Sequence, residues 1–404
     1  MISLAMIARN EKERLTACLA SARPAVDEIV VVDTGSTDGT LELARAEGAR
    51  VVPWAWRDDF AAARNESLRH ASGDFVLVLD ADERLAADAV LRVRALATAG
   101  RADGFDCRLV SRLPADQPSP VITHWYCRLF RKRDGVRFTG RIHEQVAPSI
   151  WRAGGRIAPS DVTILHEGYV EVSPAKLERN LRLLELEMAD RPGDAFVNFN
   201  LGMTLLSAGH WARASAAFER ALAAPEAALA PHLRAVAWMK LAEMRLRAAD
   251  WRGAAQAADQ ALGLEADLAM ARYALGRALF EHGAIAGAGR VFDDLATAPA
   301  DALGMTLHPR VVAVARALVM LRQRRFQEAA DVLKPVAADD PTGEAALHFG
   351  NACLALGRLS DAAAAYESAR ARGVNDPHLD RRLALATRLA EAGTTAAANN
   401  RQGA

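Results

Sequence analysis

The first part of the chain alternates short apolar runs with longer amphipathic stretches. Four apolar runs predict β-strands, at Ile2 to Ile7, Glu28 to Asp33, Ala49 to Pro53 and Asp74 to Asp80. Such continuous runs of aliphatic residues indicate strands covered on both faces, as in a parallel sheet. The stretches between them predict helices at Glu11 to Ala22, Asp38 to Glu47 and Asp59 to Ala71. We therefore expect a three-layer α/β domain.

The pattern changes after about residue 105, where two longer strand-like segments follow. They read FDCRLVSR from Phe105 and HWYCRLFRK from His124, and Asp134-Gly135 is a strong hairpin signal. We expect the sheet to gain antiparallel strands here. A basic run straddles the predicted hairpin, at Arg128, Arg131, Lys132, Arg133, Arg137 and Arg141. Its simplest interpretation is a solvated edge that discourages strand pairing.

From Ser173 the composition becomes helical and rich in alanine, and an internal repeat appears. Its apolar anchors lie 40, 34, 41 and 33 positions apart, at Trp211, Trp251, Ile285, Phe326 and Leu359. An alanine follows each anchor by three positions, as required where two helices approach closely. A period of about 34 residues is the tetratricopeptide length, and such helical pairs bury their apolar faces by stacking. We expect five pairs, a capping helix at Pro377 to Ala392 and a disordered tail from Thr394.

Charge and cysteine usage exclude several classes of protein. The formal net charge is +0, with 50 basic and 50 acidic residues, so nothing favours nucleic acid or an anionic membrane surface. The four cysteines lack CxxC spacing, which argues against zinc or disulfides and favours a reducing cytoplasm. No apolar run approaches the length of about eighteen residues needed to span a membrane. We expect a cytoplasmic protein without integral membrane association.

Acidic residues follow two of the predicted strands at the point where each strand ends. Asp33 closes one apolar run, and Asp80 and Asp82 close another. Ligands of open α/β sheets bind outside the carboxyl ends of the strands, so these carboxylates are positioned for a ligand. On an extended segment, residues two apart face the same side and can converge on one ligand. A sugar nucleotide with a divalent metal fits best, and capping of a helix near Leu85 is the alternative.

Six segments resemble the family 2 glycosyltransferases of the glycosyltransferase-A fold, in the bacterial branch with a tetratricopeptide tail. They are ISLAMIARNE, VVVDTGSTDGT, DDFAAARNESLRHASGD, LDADE, RLFRKRDGVRFTGRIHEQV and ILHEGY. The resemblance implies a Rossmann-like mixed sheet and spans nearly the whole chain. It divides the chain into a catalytic domain over 1–172, a linker helix over 173–192, a repeat solenoid over 193–393 and a disordered tail over 394–404.

The resemblance also implies roles for the acidic residues. Asp33 would contact the nucleoside, since a carboxylate can accept from a ring N–H or from ribose hydroxyls. Asp80-Ala81-Asp82 is similar to the Asp-x-Asp motif of the family. Asp80 would hold the ribose or share the metal, and Asp82 would bind the Mn²⁺ or Mg²⁺ that bridges the diphosphate. Glu83 would support this motif or lie in the first turn of a helix.

Further residues complete the predicted nucleotide site. The base pocket would be lined at the end of the first strand by Ile7, Ala8, Arg9, Asn10 and Glu11. Arg64 would pair with phosphate or stack on the base, and an ion pair with Asp58 or Asp59 is the alternative. One or two residues of the basic run would also reach the diphosphate. Four aromatic residues would stack on the sugar or acceptor, or simply pack in the core, namely Trp54, Trp56, Trp125 and Tyr126.

Two His-Glu pairs lie just beyond the antiparallel region and supply the candidate base. An inverting transfer needs one group to take the proton of the acceptor. Glu144 is the first choice for this base, and His143 is its nearest rival. The resemblance implies that His166 is a third metal ligand or a diphosphate contact, because these enzymes often add a late histidine to the metal. A purely structural histidine is the alternative.

Together these features predict a metal-dependent inverting glycosyltransferase that uses a nucleotide diphosphate sugar, most simply a UDP-sugar. The fused repeats favour a protein or peptide acceptor. Two alternatives stay open: transfer to a saccharide or lipid-linked acceptor with the repeats forming a homodimer, and a non-catalytic scaffold that binds nucleotide sugar. Nucleotidylyl transfer is disfavoured, because IARNEKERL after the first strand lacks the glycines that cradle a triphosphate.

Overall fold

The structure is a computed structural model that describes residues 1–112, 121–166, 173–299, 301 and 307–402. The chain divides into two compact units, Met1–Ala221 and Leu222–Ala404. The first contains a mixed sheet with its helices, and the second is helical. Within the described residues, no helix is long and apolar enough to cross a membrane. The domain boundaries drawn from the sequence at residues 172 and 192 stay predictions.

The first unit is built on an eight-stranded sheet with the order β3-β2-β1-β4-β7-β6-β8-β5. The strands are β1 (Ile2–Ala8), β2 (Glu28–Asp33), β3 (Arg50–Pro53), β4 (Phe75–Val78), β5 (Glu83–Leu85), β6 (Gly104–Arg112), β7 (Val121–Arg131) and β8 (Ile157–His166). β1 pairs in parallel with β2 and β4, and β2 pairs in parallel with β3. β7 is antiparallel to both β4 and β6. The predicted α/β domain of the glycosyltransferase-A type is confirmed.

Helices cover both faces of this sheet. They are α1 (Lys12–Ala22), α2 (Thr40–Ala46), α3 (Phe60–His70), α4 (Ala89–Ala99) and α5 (Ala147–Arg152). Successive residues of β1 point to opposite faces, so Leu4 and Met6 join one core cluster while Ala5 joins another. Leu15 and Leu19 of α1 are fully buried in the first cluster. This two-sided burial explains why the parallel strands read as continuous apolar runs.

The hairpin predicted at Asp134-Gly135 is wrong. β7 pairs with β6, which precedes it, and with β4, so it lies inside the sheet rather than at an edge. Between the turn at Asp134-Gly135 and α5 the described chain forms only an isolated bridge, between Thr139 and Gln145. The basic run is therefore not a solvated edge throughout. The side chain of Arg128 is only 14% exposed, because its guanidinium is paired with Asp80 and Glu83.

The predicted linker helix is present as α6 (Pro174–Asp190), but it packs within the first unit. Leu183 and Leu184 are buried, and the carboxylate of Glu187 is buried with them. Ser173 caps the helix by accepting a hydrogen bond from the Lys176 amide. α6 leads into α7 (Ala195–Ser207) and α8 (Trp211–Ala223), which form the first helical pair.

The remaining pairs belong to the second unit and confirm the repeat. Its helices are α9 (Pro231–Arg247), α10 (Trp251–Leu264), α11 (Ala269–Glu281), α12 (Ile285–Thr297), α13 (Pro309–Arg322), α14 (Phe326–Ala337), α15 (Glu344–Ala355), α16 (Leu359–Ala371) and α17 (Leu379–Gln402). The second helix of every pair begins at its predicted anchor residue. The predicted close-approach alanines are completely buried, at Ala214, Ala254, Ala288, Ala329 and Ala362. α17 extends to Gln402, and disorder of the tail from Thr394 stays a prediction.

Three pairs share a contact between a glycine on the first helix and an aromatic ring on the second. The pairs are Gly202 with Phe218, Gly276 with Phe292, and Gly350 with Tyr366. A Cβ added to Gly276 would lie 2.5 Å from the Phe292 ring. The two residues are 16 positions apart in every case. In α13 and α14 the residues at this spacing are Ala317 and Leu333, which lie in one core cluster. Here the residue on the first helix is larger than glycine, and the residue on the second helix is smaller than an aromatic ring.

Candidate active site

The candidate site begins where β1 and β2 end. Ala8 lies opposite Asp33 in the parallel register, so the loops that follow both strands leave the sheet together. The side-chain oxygen of Asn10 accepts a hydrogen bond from the backbone amide of Thr37 at 2.8 Å. The backbone amide of Asn10 donates to Ser36 Oγ at 2.9 Å. These bonds hold Asn10 in a left-handed conformation with φ of 56°. The predicted pocket residues after β1 are thus fixed against the loop after Asp33.

Asp33 is buried and retains one uncompensated oxygen. Its Oδ2 accepts hydrogen bonds from the amides of Gly35 and Ser36, at 3.0 and 3.1 Å. Its Oδ1 is buried and has no hydrogen-bond partner among the described residues. Leaving a buried acceptor unsatisfied costs about 1–3 kcal/mol, which a ligand donor would recover. The residue predicted to hold the nucleoside therefore has an acceptor available for an N–H or hydroxyl group.

Arg64 connects two of the predicted acidic residues. Its Nη2 donates to Asp80 Oδ1 at 2.7 Å, and its Nε donates to Glu144 Oε1. The alternative ion pair with Asp58 or Asp59 is wrong, because Asp59 caps α3 and Asp58 binds Arg182 of α6. Arg64 Nη1 is buried without a partner among the described residues. One donor of this guanidinium thus stays available to an anionic ligand.

Arg128 and Glu83 enclose Asp80 from the other side. Arg128 Nη2 donates to Glu83 Oε1 at 2.7 Å and approaches Asp80 Oδ2 at 3.3 Å. The Asp80 amide donates to Glu83 Oε2 at 2.8 Å. Burial would raise the pKa of Asp80, but the guanidiniums of Arg64 and Arg128 outweigh it and hold that pKa well below its usual range. Burial raises the pKa of Glu83 to about 7.

These contacts correct two expectations about the acidic motif. Asp80, Ala81 and Asp82 form a turn closed by a 2.9 Å bond from the Glu83 amide to the Asp80 carbonyl, so the motif is not extended. Glu83 lies on β5, whereas the sequence left it as a supporting acid or a residue of a helix first turn. It supports the motif directly through the Asp80 amide. Helix capping by Asp80 and Asp82 is also excluded, since the next helix begins at Ala89.

Strand pairing brings Asp82 to His166. Glu83 lies opposite His166 in the antiparallel pair of β5 and β8. His166 Nε2 lies 3.3 Å from Asp82 Oδ2, and its Nδ1 lies 3.0 Å from Ser111 Oγ. The carboxylate of Asp82 raises the pKa of His166. Among the described residues no group of three His, Cys, Asp or Glu side chains is placed to hold a metal, so Asp82 and His166 are a pair of donors.

Glu11 belongs to the same acidic corner. Burial raises its pKa, and the nearby charge of Asp82 raises it further. Its amide donates to Thr40 Oγ1 at 2.9 Å, which again ties the loop after β1 to the loop after β2. The other predicted pocket residues differ in exposure: Ala8 is buried, Ile7 is half-buried, and Arg9 is exposed.

The two candidate bases lie in the loop closed by the Thr139 and Gln145 bridge. The side chain of Glu144 is 12% exposed and faces Arg64. His143 is exposed and has a left-handed φ of 54°. The structure thus brings Glu144 into the network of Arg64 and Asp80, and leaves His143 outside it. Glu144 Oε1 is occupied by Arg64, while its Oε2 makes no hydrogen bond to a described residue.

The candidate aromatic residues differ in their surroundings. Trp125 is 52% exposed and Tyr126 is 37% exposed, so both rings remain accessible. Trp56 packs edge-on against Phe60 with ring centroids 4.8 Å apart and donates to Asp58 Oδ1. The guanidinium of Arg57 lies 4.5 Å from the centre of the Trp54 ring. Trp56 is held by protein contacts, while stacking on a sugar stays a prediction for all four.

Sequence reasoning missed the role of Arg128. The signal for it was present, because Arg128 is a charged residue within an otherwise largely apolar strand segment and lies between Cys127 and Leu129. A charged residue at a buried position needs a paired and hydrogen-bonded partner. That partner set could not be named, since it depends on β7 lying beside β4 in the sheet.

The segment that carries the mixed sheet and the acidic site matches the model of a glycosyltransferase family. Residues 3–151 match the model of glycosyl transferase family 2, and residues 314–377 match a model of the tetratricopeptide repeat. The chain therefore carries a segment that matches family 2 glycosyltransferases, followed by a segment that matches tetratricopeptide repeats.

Several known proteins are similar to parts of this chain. A TPR repeat-containing protein of Synechococcus elongatus is 36% identical over 220 residues, which are 52% of this chain and 53% of that protein. The SPbeta prophage-derived glycosyltransferase SunS of Bacillus subtilis is 28% identical over 153 residues, which are 36% of this chain and 34% of SunS. The match thus spans about half of the first relative and a third of the second. A structure of S. aureus TarS 1-349 in complex with UDP-GlcNAc has 16% identity and a TM-score of 0.38, covering 65% of this chain and 90% of that one.

Proposed function

We propose that this protein is an inverting glycosyltransferase that moves a sugar from a nucleotide diphosphate sugar to a protein or peptide acceptor. The observation that carries the proposal is the buried Oδ1 of Asp33, which has no partner among the described residues and lies at the same edge of the sheet as the acidic turn of Asp80 and Asp82. This sheet lies in the segment that matches family 2 glycosyltransferases. Asp33 would accept a hydrogen bond from the nucleoside. A UDP-linked sugar is the donor that we would test first.

Asp82 and His166 would hold the divalent metal. They offer one oxygen and one nitrogen donor 3.3 Å apart, which fits two neighbouring positions around one ion. A mixed carboxylate and imidazole set suits Mn²⁺ better than Mg²⁺, which prefers oxygen ligands. The bound metal would neutralise charge that develops on the diphosphate leaving group. Asp80 is held by two arginines, so its role in this proposal is to keep Arg64 and Arg128 in place beside the diphosphate.

Glu144 would act as the base. Arg64 fixes Oε1, and Oε2 would take the proton of the acceptor hydroxyl or amine as the acceptor atom attacks the anomeric carbon. The bond from that carbon to the diphosphate oxygen breaks, and its electron pair leaves with the nucleoside diphosphate. One displacement inverts the anomeric centre. His143 is the second candidate, since its exposed ring is reachable by an acceptor.

The tetratricopeptide repeats would recruit the acceptor. A stacked repeat offers a large surface with no catalytic duty, and this is the observation that favours a protein or peptide over a small saccharide. The repeat segment 194–395 has 22 acidic and 22 basic residues, so recognition would depend on shape and local contacts rather than on net charge. A repeat used for homodimerisation is the competing explanation.

Donor hydrolysis tests the proposed activity without knowledge of the acceptor. The full chain would be incubated with Mn²⁺ and a panel of nucleotide diphosphate sugars, and release of free sugar followed by mass spectrometry. We expect hydrolysis of at least one donor, with binding of that donor lost in Asp33→Ala. Asp88→Ala is the matched control, because this carboxylate is 64% exposed and pairs with Arg92 of α4. Failure of every donor to bind, or equal binding by Asp33→Ala, would contradict the proposal.

A further inference from the structure

We infer that Glu187 of α6 is a positioning residue for the loop that carries Glu144. The inference rests on the proposed role of Glu144 as the base. It assigns a task at the active site to a helix that the sequence presents only as a linker between the sheet domain and the repeats. The contacts that support it are all within the first compact unit.

Glu187 makes a direct hydrogen bond to the loop. Its carboxylate is buried, with 3% of the residue exposed, and Oε2 accepts from the Arg141 amide at 3.0 Å. Its other oxygen accepts from Arg191 near the end of α6. A Cβ added to Gly140 would lie 3.4 Å from Glu187 Oε1, so the loop backbone passes directly over the carboxylate. A buried charge is retained at such a place only when it is paired and hydrogen-bonded, and here the loop supplies part of that pairing.

The loop needs an external support. Gly140 has φ of 110° and His143 has φ of 54°, so two of its residues adopt left-handed conformations. Left-handed backbone at a residue other than glycine persists where the surroundings enforce it. The bridge between Thr139 and Gln145 closes the loop at its base, but it does not fix the tip. The bond from the Arg141 amide to Glu187 restrains this tip from α6.

The restraint continues from Arg141 to the site. Phe60 is the first residue of α3, and its backbone amide donates a hydrogen bond to the Arg141 carbonyl at 2.9 Å. Arg64, one turn later on α3, binds Glu144. The segment from Arg141 to Glu144 is thus held between α6 on one side and α3 on the other. Displacing Arg141 would move the carboxylate of Glu144 relative to Arg64.

A second attachment keeps α6 in place when Glu187 is changed. Both terminal nitrogens of Arg182 donate to the carboxylate of Asp58 at 2.6 Å. Arg141 itself binds Asp190 at 2.8 Å through its side chain. Substitution of Glu187 therefore removes the support of the Arg141 amide while these other contacts hold the helix against the domain.

The test compares three substitutions of Glu187 in the full chain. Glu187→Gln keeps an acceptor at the same reach, Glu187→Asp keeps the charge but withdraws it by one methylene, and Glu187→Ala removes both. Glu185→Ala is the matched control, since this acid lies on the same helix, is 51% exposed and pairs with Arg213 at 2.6 Å. Hydrogen exchange of the 139–145 segment reports the loop, and donor hydrolysis with a UDP-sugar and Mn²⁺ reports turnover.

Misplacement of a reacting group by about 1 Å costs on the order of a hundredfold in rate, so we expect a loss of this size in kcat for Glu187→Ala. Donor Kd should stay within about twofold, because the nucleotide contacts lie elsewhere. Exchange at 139–145 should quicken in the Ala and Asp variants, while the Gln variant and the Glu185→Ala control resemble the parent chain.

Two results would overturn the inference. One is a folded Glu187→Ala protein with parental exchange at 139–145 and parental kcat. The other is an active Glu187→Asp protein beside an inactive Glu187→Gln protein, since pairing of charge with Arg191 would then explain Glu187 and positioning would not. If Glu144→Gln leaves turnover unchanged while Glu187→Ala reduces it, the assignment of the base fails and the positioning role stands.

Discussion

Arg64 is the residue that joins the two halves of the candidate site. Its guanidinium binds Asp80 beside the proposed nucleotide site and Glu144 in the loop that carries the proposed base. The geometry requires two donors in a fixed fork, which an ammonium group does not provide. This side chain is nearly completely buried, with 7% exposed, so its removal would take an ion-pair partner from both acids.

Removal of Arg64 should therefore destabilise the domain as well as inactivate it. Breaking a buried ion pair by deleting one partner costs about 3–5 kcal/mol, and we expect Arg64→Ala to lie in that range. Arg64→Lys should fold better but lose turnover. Urea unfolding and donor hydrolysis measure the two effects. Arg69→Ala on the same helix is the control, because its side chain is 69% exposed. A Lys variant with parental turnover would show that the fork is dispensable.

The metal pair makes a separate prediction. Asp82→Asn should lower the rate by about a hundredfold or more, since a metal contributes several kcal/mol of charge stabilisation. His166→Ala should raise the Mn²⁺ concentration needed for half-maximal activity, while addition of excess Mn²⁺ restores part of the rate. The measurement is hydrolysis across a metal titration, with His70→Ala as control. Full activity of Asp82→Asn in EDTA would end the metal assignment.

In three helix pairs of the repeat a glycine faces an aromatic ring, so the sizes of the two residues must match. Gly276→Ala places a methyl group 2.5 Å from the Phe292 ring, where there is no room for it. Overpacking costs about 1–3 kcal/mol, and the better helix propensity of alanine offsets about 1 kcal/mol of that cost. We expect a net loss of thermal stability. Gly263→Ala on the neighbouring α10 is the control, because nothing lies within 4 Å of its added Cβ.

The same logic predicts a rescue. The pair α13 and α14 places Ala317 and Leu333 at the equivalent spacing. Adding Phe292→Leu to Gly276→Ala reproduces that combination, so the double variant should be more stable than Gly276→Ala alone. Melting curves of the parent protein, the two single variants and the double variant give the coupling energy between the two positions. Purely additive losses would show that the ring and the glycine do not depend on each other.

Elements with a strong local signal were predicted correctly from the sequence. β2 has the predicted bounds, and all five repeat anchors begin a helix, because periodicity and strand ends are local properties. The hairpin after β7 was predicted wrongly, since a turn signal does not say which strand will become the neighbour. Asp33, Asp80 and Asp82 could be found at strand ends. The arginines that bind Asp80 could not be assigned, because their positions follow from the order of strands across the sheet.

Acceptor recruitment by the repeats predicts that two activities will separate. Charge reversals of Lys240 on α9 and Arg290 on α12 alter the surface of the second unit without entering its core. If the repeats bind the acceptor, such variants should raise the acceptor KM while donor hydrolysis stays at the parental rate. Circular dichroism checks folding. If a wider set of surface variants transfers sugar to the genuine acceptor with unaltered kinetics, the repeats serve stability or dimerisation.

The buried thiols give each unit its own reporter of opening. Cys18, Cys107 and Cys127 lie in the first unit and Cys353 in the second, and all four are buried and free. Burial raises the pKa of Cys107 to about 11, so thiolate is scarce in the native state. An alkylating reagent should leave the native protein unlabelled and add mass only as a unit opens. In a urea titration, one early adduct would identify the second unit as the weaker one, whereas three would identify the first unit, with Cys353→Ser confirming the assignment.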